Sequence, residues 1–212
     1  MRPPAGEHSY VLTATIKRLE LPGRGGTPHC AAMPTTIPER YSRTAIALHW
    51  LLALLIVCNF ALGWYMHDLP FSMARLKLFN WHKWAGVTIL ALSATRLLWR
   101  LTHQPPADLP MPSWQQRAAH AAHGALYVLF FAVPLSGWAY SSAAGFPIVL
   151  FGVLPLPDFV APDRAFSETI KPLHGALAFT LAAVVLMHIG AALKHQFVDR
   201  DGLLLRMLPR RG

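Results

Sequence analysis

Three times in this chain an apolar stretch long enough to cross a bilayer runs without one Asp, Glu, Lys or Arg. One covers residues 44–66, 23 positions rich in Leu, Ala and Ile; the others cover residues 118–141 and 172–193. At about 1.5 Å per helical residue, some 20 residues cover the roughly 30 Å of hydrocarbon in a membrane. A fourth stretch of similar length, 82–101, is apolar apart from Lys83, Arg96 and Arg100 near its ends. Backbone inside lipid has to satisfy its own hydrogen bonds, which leaves helices as the form these segments take. The fold class expected is therefore all-α, an integral membrane four-helix bundle.

Charge supports this. Lys and Arg number 19 and Asp and Glu 10, a formal charge of +9, yet only 14% of residues are charged. A soluble domain carries about 25%. The basic balance is thus no nucleic-acid signal, because too little charge remains to cover a soluble surface. Cys30 and Cys58 are the only cysteines, which excludes a disulfide-stapled domain.

Residues 1–39 differ in kind. Six prolines and scattered charge occur there without an apolar run of signal-peptide length. Two readings stand side by side, a disordered tail and a mis-called start with translation beginning at Met33. The membrane domain occupies residues 40–211. Within it, residues 142–170 contain an apolar run, 146–160, broken by Pro147, Pro155 and Pro157. It is expected as a loop or short interfacial helix on the membrane surface.

Basic residues set the orientation. With the N-terminus in the cytoplasm, ten of them (Arg40, Arg43, Arg96, Arg100, Arg117, Lys194, Arg200, Arg206, Arg210, Arg211) fall inside. Five, Arg75, Lys77, Lys83, Arg164 and Lys171, fall outside. Both termini are then cytoplasmic, and all seven Trp lie near span ends.

Ionisable groups inside the spans point to function. His174 and His188 share the fourth span, fourteen residues apart. At about 100° per residue they lie within roughly 40° of one face, and about 21 Å apart along the axis. Each needs a partner at its own depth. His49 lies near the inner end of the first span, level with His188. His82 opens the second span at the outer side, level with His174. Two bis-histidine sites stacked across a membrane suit two b-type haems held between helices. Zinc would want Cys or carboxylate neighbours, which neither pair has in sequence. The plainer alternative, histidines hydrogen-bonded within helix packing, accounts poorly for four at matched depth.

Other histidines stay open. His120 and His123 begin the third span and rival His49 and His188 as inner ligands, though an interfacial or quinone-contacting role suits them better. His195 follows His188 on nearly the same face and could meet a quinone or exchange protons. Gly86 and Gly175, near His82 and His174, could admit a flat macrocycle; close helix packing explains them as well. Arg96 and Arg100 could pair with haem propionates or lipid headgroups.

The segments RYSRTAIALHW, NWHKWAG, ATRLLWRL, AAHAAHGALY, PLSGW, IKPLHGALA, HIGAALKHQF and LLRMLPR occur in that order. They resemble the bacterial di-haem cytochrome b561 family, most closely its superoxide oxidase members. The resemblance implies an inner-membrane cytochrome with two haem b, ligated by His49, His82, His174 and His188. It also implies superoxide as the electron donor outside and ubiquinone as the acceptor. Lys83 and Lys171, beside the outer ligands, would then steer the anion; as ordinary loop charges they would answer nearby acids. An alternative is a haem-bearing membrane subunit, with a partner yet unnamed, linking a dehydrogenase or hydrogenase to the quinone pool. A third is a transport or structural membrane protein whose histidines ligate nothing.

Overall fold

The computed structural model describes residues 39–209. The tail and the second start at Met33 lie outside the described residues. Among the described residues four long helices follow one another: α1 (Arg43–His67), α2 (Met73–Thr102), α3 (Ser113–Ala143) and α4 (Arg164–Lys194). A two-stranded hairpin, β1 (Val149–Leu150) with β2 (Leu154–Pro155), lies between α3 and α4. After α4 come a π-helical turn, His195–Asp199, and a 3-10 turn, Leu204–Met207.

All four helices outrun the apolar spans, and three of them, α1, α2 and α4, start at a side-chain cap rather than where hydropathy begins. The Ser42 side chain accepts from the Ala45 amide, Ser72 from Arg75 and Asp163 from Phe166. Each satisfies an amide that the first turn leaves free. So α2 begins at Met73, nine residues before the stretch that opens at His82. Likewise α4 begins at Arg164 and runs through Pro172, which the apolar pattern had placed at the span's start. The proline costs α4 one amide donor, in an exposed turn near its end. Three of the helices are long and apolar enough to span a membrane; α2 is diluted by Arg75, Lys77, Lys83, Arg96 and Arg100.

Of the two forms expected for the surface segment, the loop is found. Residues 146–160 hold no interfacial helix; they are a loop that carries the two short strands of the hairpin, and α4 begins only at Arg164. Phe151 and Gly152 both have positive φ, 53° and 75°, as the primed turns matched to strand twist require. The Val153 amide donates to the Leu150 carbonyl across that turn.

Helices α1 and α2 pack together, as do α3 and α4, and α2 joins the pairs through α3. A small core of Leu52, Ile56, Ile89, Leu126, Leu129 and Leu181 lies at mid-bundle. Outside it, Leu54, Val57, Leu98, Val128 and Leu186 are exposed. That arrangement suits lipid rather than water as the surrounding solvent.

The C-terminal segment returns beneath the start of α1. Arg206 is 4% exposed. Its guanidinium donates to the Glu39 and Ala107 carbonyls, both at 2.8 Å, and lies over the Tyr41 ring. Arg40 donates to the Leu205 and Leu208 carbonyls, and Trp50 to Met207. One end of the bundle is thereby clasped.

Candidate functional site

The seam that helix packing leaves between the pairs is bridged by histidines. His49 of α1 faces His188 of α4, with ring centres 6.3 Å apart. His82 of α2 faces His174 of α4 at 6.2 Å. The residues that the depth argument pairs from sequence are the ones that face each other here. Two imidazoles sharing one metal ion, with metal–nitrogen bonds of about 2 Å each, have ring centres about 6 Å apart. Both pairs match that spacing.

The outer pair is built in detail. His174 Nδ1 lies 3.1 Å from the Val133 carbonyl and 3.0 Å from Ser136 Oγ. With Nδ1 as the donor to that carbonyl, Nε2 is left as the free ligand atom. Ser136 in turn donates to Val133. The His82 Nδ1 is buried without a hydrogen-bond partner among the described residues.

Glycines make room for both rings. A Cβ at Gly137 would lie 2.9 Å from His174 Cε1, and one at Gly63 would lie 3.0 Å from His82 Cε1. At Gly86 and Gly175 a Cβ would meet nothing within 4 Å. The close approaches therefore occur at two glycines that sequence reasoning missed, each on a helix facing the ligand. A cavity of about 1010 Å³ opens from the outer pair, lined by His82, His174, Gly86, Phe130 and Ala182 among others. That is the size and apolar character of a cofactor site.

The inner pair has a third histidine. His123 of α3 lies with its ring centre 5.3 Å from that of His188. Sequence spacing flagged His123 together with His120, without separating them. The structure sets His123 beside His188, whereas His120 is exposed and its Nε2 lies 3.2 Å from Asp108. Chiefly the Gln116 amide, helped by His120, holds the Asp108 carboxyl below its ordinary value. Arg96 is close enough to act electrostatically on His49, His123 and His188. Among the described residues no carboxylate pairs with Arg96 or Arg100.

The two candidate steering lysines differ. Lys83 is half-buried, and its Nζ donates to the Phe146 and Pro147 carbonyls and to Ser141 at 3.2–3.4 Å. It ties α2 to the approach of the hairpin. Lys171 is exposed. Beyond the inner pair, His195 Nδ1 lies 2.6 Å from Asp201 and 3.2 Å from Asp199.

Two facing histidine pairs thus lie at opposite ends of a four-helix bundle of the kind that membrane cytochromes use. The family model for prokaryotic cytochrome b561 matches residues 40–210, and the chain belongs to that family. Its members bind haem b, generally two, and transfer electrons in the membrane. The chain is 39% identical over 176 residues to Cytochrome b561 homolog 2 of Escherichia coli (strain K12), covering 82% of this chain and 94% of that one. It is 34% identical over 180 residues to Cytochrome b561 homolog 1 of the same organism, covering 82% and 99%. It is 32% identical over 178 residues to a Yersinia pestis protein named Probable superoxide oxidase CybB, covering 82% and 98%. The residues present fit the family's cofactor. At the His82–His174 pair the spacing, ring niches, cavity and oriented His174 suit an iron; at the His49–His188 pair the spacing does.

Proposed function

We propose that this protein is a superoxide:ubiquinone oxidoreductase, with superoxide oxidised outside the cell membrane and ubiquinone reduced within it. The carrying observation is the matched pair of histidine spacings, 6.2 and 6.3 Å, at opposite ends of the bundle. The name of the Yersinia pestis relative supports superoxide as donor. His82 and His174 would hold the outer haem b, and His49 and His188 the inner one. Haem iron supplies reversible one-electron carriage in such sites.

The chain's own residues do the rest. Lys171 and Lys83 place positive charge beside the outer pair, which raises the encounter rate of an anion. Arg96 and Arg100, with no acidic partner among the described residues, answer carboxylates of the inner group or lipid phosphates. His195 lies past the inner pair, where ubiquinone takes up protons; His120 lies at the same end. Two superoxide anions each give up one electron and leave as O2. One ubiquinone gains those two electrons with two protons and becomes ubiquinol. Basic residues favour an orientation with both termini in the cytoplasm.

The test is a superoxide pulse given to purified protein, with haem reduction and ubiquinol formation followed by absorbance. Reduction faster than in His82→Ala is the expected result. Equal rates in the two would overturn superoxide as donor and favour a membrane subunit fed by a dehydrogenase or hydrogenase.

A further inference from the structure

We infer that Asp201 is the positioning residue of a proton relay, holding His195 so that its Nε2 delivers protons to the reduced quinone. The inference rests on the proposal that ubiquinone is reduced beside His195.

In a continuous α-helix, residues six apart point about 120° away from each other. His195 and Asp201 would not meet. They meet here because α4 widens into the π turn His195–Asp199, and Arg200 then adopts left-handed φ of 52°. That stop folds Asp201 back onto His195 Nδ1 at 2.6 Å. Single π turns are often found at functional sites. A left-handed non-glycine residue is sparsely populated and persists only where its surroundings demand it.

The aspartate is itself held. Its Oδ1 accepts from the Leu203 amide at 2.9 Å, which leaves Oδ2 for the imidazole. The neighbouring carboxylate is otherwise engaged, since Asp199 Oδ2 lies 2.6 Å from Lys194 Nζ. Lys194 largely answers Asp199, and Asp201 is left to His195. Arg200 Nε turns to the Phe197 carbonyl. The His195 side chain is 13% exposed, so the ring is sheltered yet not sealed from water.

This arrangement fixes the tautomer. Asp201 takes the Nδ1–H bond, and Nε2 becomes the atom that gains and loses the working proton. During reduction the Nε2–H bond breaks and an O–H bond forms on a quinone carbonyl oxygen. The two electrons come from the donor, and the second proton follows after Nε2 is recharged from water. Asp201 keeps its own charge throughout.

The experiment uses haem-loaded protein, chemically pre-reduced and mixed with ubiquinone-1 in a stopped-flow device. Oxidation is read at the haem α-band for wild type, Asp201→Asn, Asp201→Glu, Asp199→Asn and His195→Ala. Unchanged haem content and spectra establish that each variant is folded. Asp201→Asn is expected to lower the maximal rate about tenfold or more, with half-saturating ubiquinone unchanged and a larger solvent deuterium effect. Asp201→Glu is expected to restore most of the rate, and Asp199→Asn to stay within about twofold of wild type. Equal effects of Asp201→Asn and Asp199→Asn, or none from either, would overturn the relay alone. If His195→Ala changes neither rate nor half-saturation, the quinone site lies elsewhere and both readings fall.

Discussion

The His174 ring rests against Gly137, where a Cβ would come within 2.9 Å of Cε1 and 3.2 Å of Nδ1. No real Cβ tolerates the shorter of these contacts, and the ring cannot swing aside freely because Val133 and Ser136 hold its Nδ1. Gly137→Ala is therefore expected to turn the ring and weaken the outer haem, with affinity lower by about 10–100-fold, as for other disturbances of ligand orientation. Haem-to-protein ratio and the reduced-minus-oxidised spectrum read the loss. Two fully retained haems with unchanged spectra would contradict it.

The inner end offers three histidines for two ligand positions. With His49 and His188 as the ligands, His123→Ala is expected to retain both haems with a shifted potential for the inner one. His188→Ala is expected to lose the inner haem and keep the outer. Redox titration with haem quantification separates these. A single remaining haem in His123→Ala would reassign the ligation.

The clasp around Arg206 predicts a stability effect away from either site. Arg206→Ala removes two charge-assisted, part-buried hydrogen bonds to the Glu39 and Ala107 carbonyls, a loss of about 2–3 kcal/mol. For a chain of this size that lowers the unfolding midpoint by about 5–10 °C. Arg206→Lys should recover little, because an ammonium lacks the planar fork that reaches the Glu39 and Ala107 carbonyls together. Thermal unfolding in detergent checks both, and an unchanged midpoint in Arg206→Ala would refute the clasp.

The four helices and the pairing of His49 with His188 and His82 with His174 were legible because lipid makes hydropathy and depth decisive. A histidine in a span can meet only partners at its own level, so topology alone narrows the choice. The niches at Gly63 and Gly137 were not legible, since a glycine facing a ring looks in sequence like any glycine in helix packing. His123 could not be told from His120 because three residues along a helix change the facing by only about 60°. Asp201 was hidden for the opposite reason: helical periodicity points it away from His195, and the π turn that reverses this has no pattern of its own. The hairpin was read as loop or helix because its strands are two residues each, too short for alternation to show.

Steering gives the last prediction, and the two lysines should separate within it. Lys171 is exposed, so Lys171→Ala should remove charge and little else. The rate of haem reduction by superoxide is expected to fall about twofold at low salt, with the difference vanishing as salt rises. Lys83→Ala removes a charge and also the bonds to Phe146, Pro147 and Ser141. It is expected to slow reduction similarly at low salt but to leave a deficit at high salt. Hydrogen exchange at the hairpin amides, including Leu156 and Val153, should rise in Lys83→Ala and not in Lys171→Ala. Salt-independent, identical rates in wild type and both variants would remove the lysines from the path of the anion.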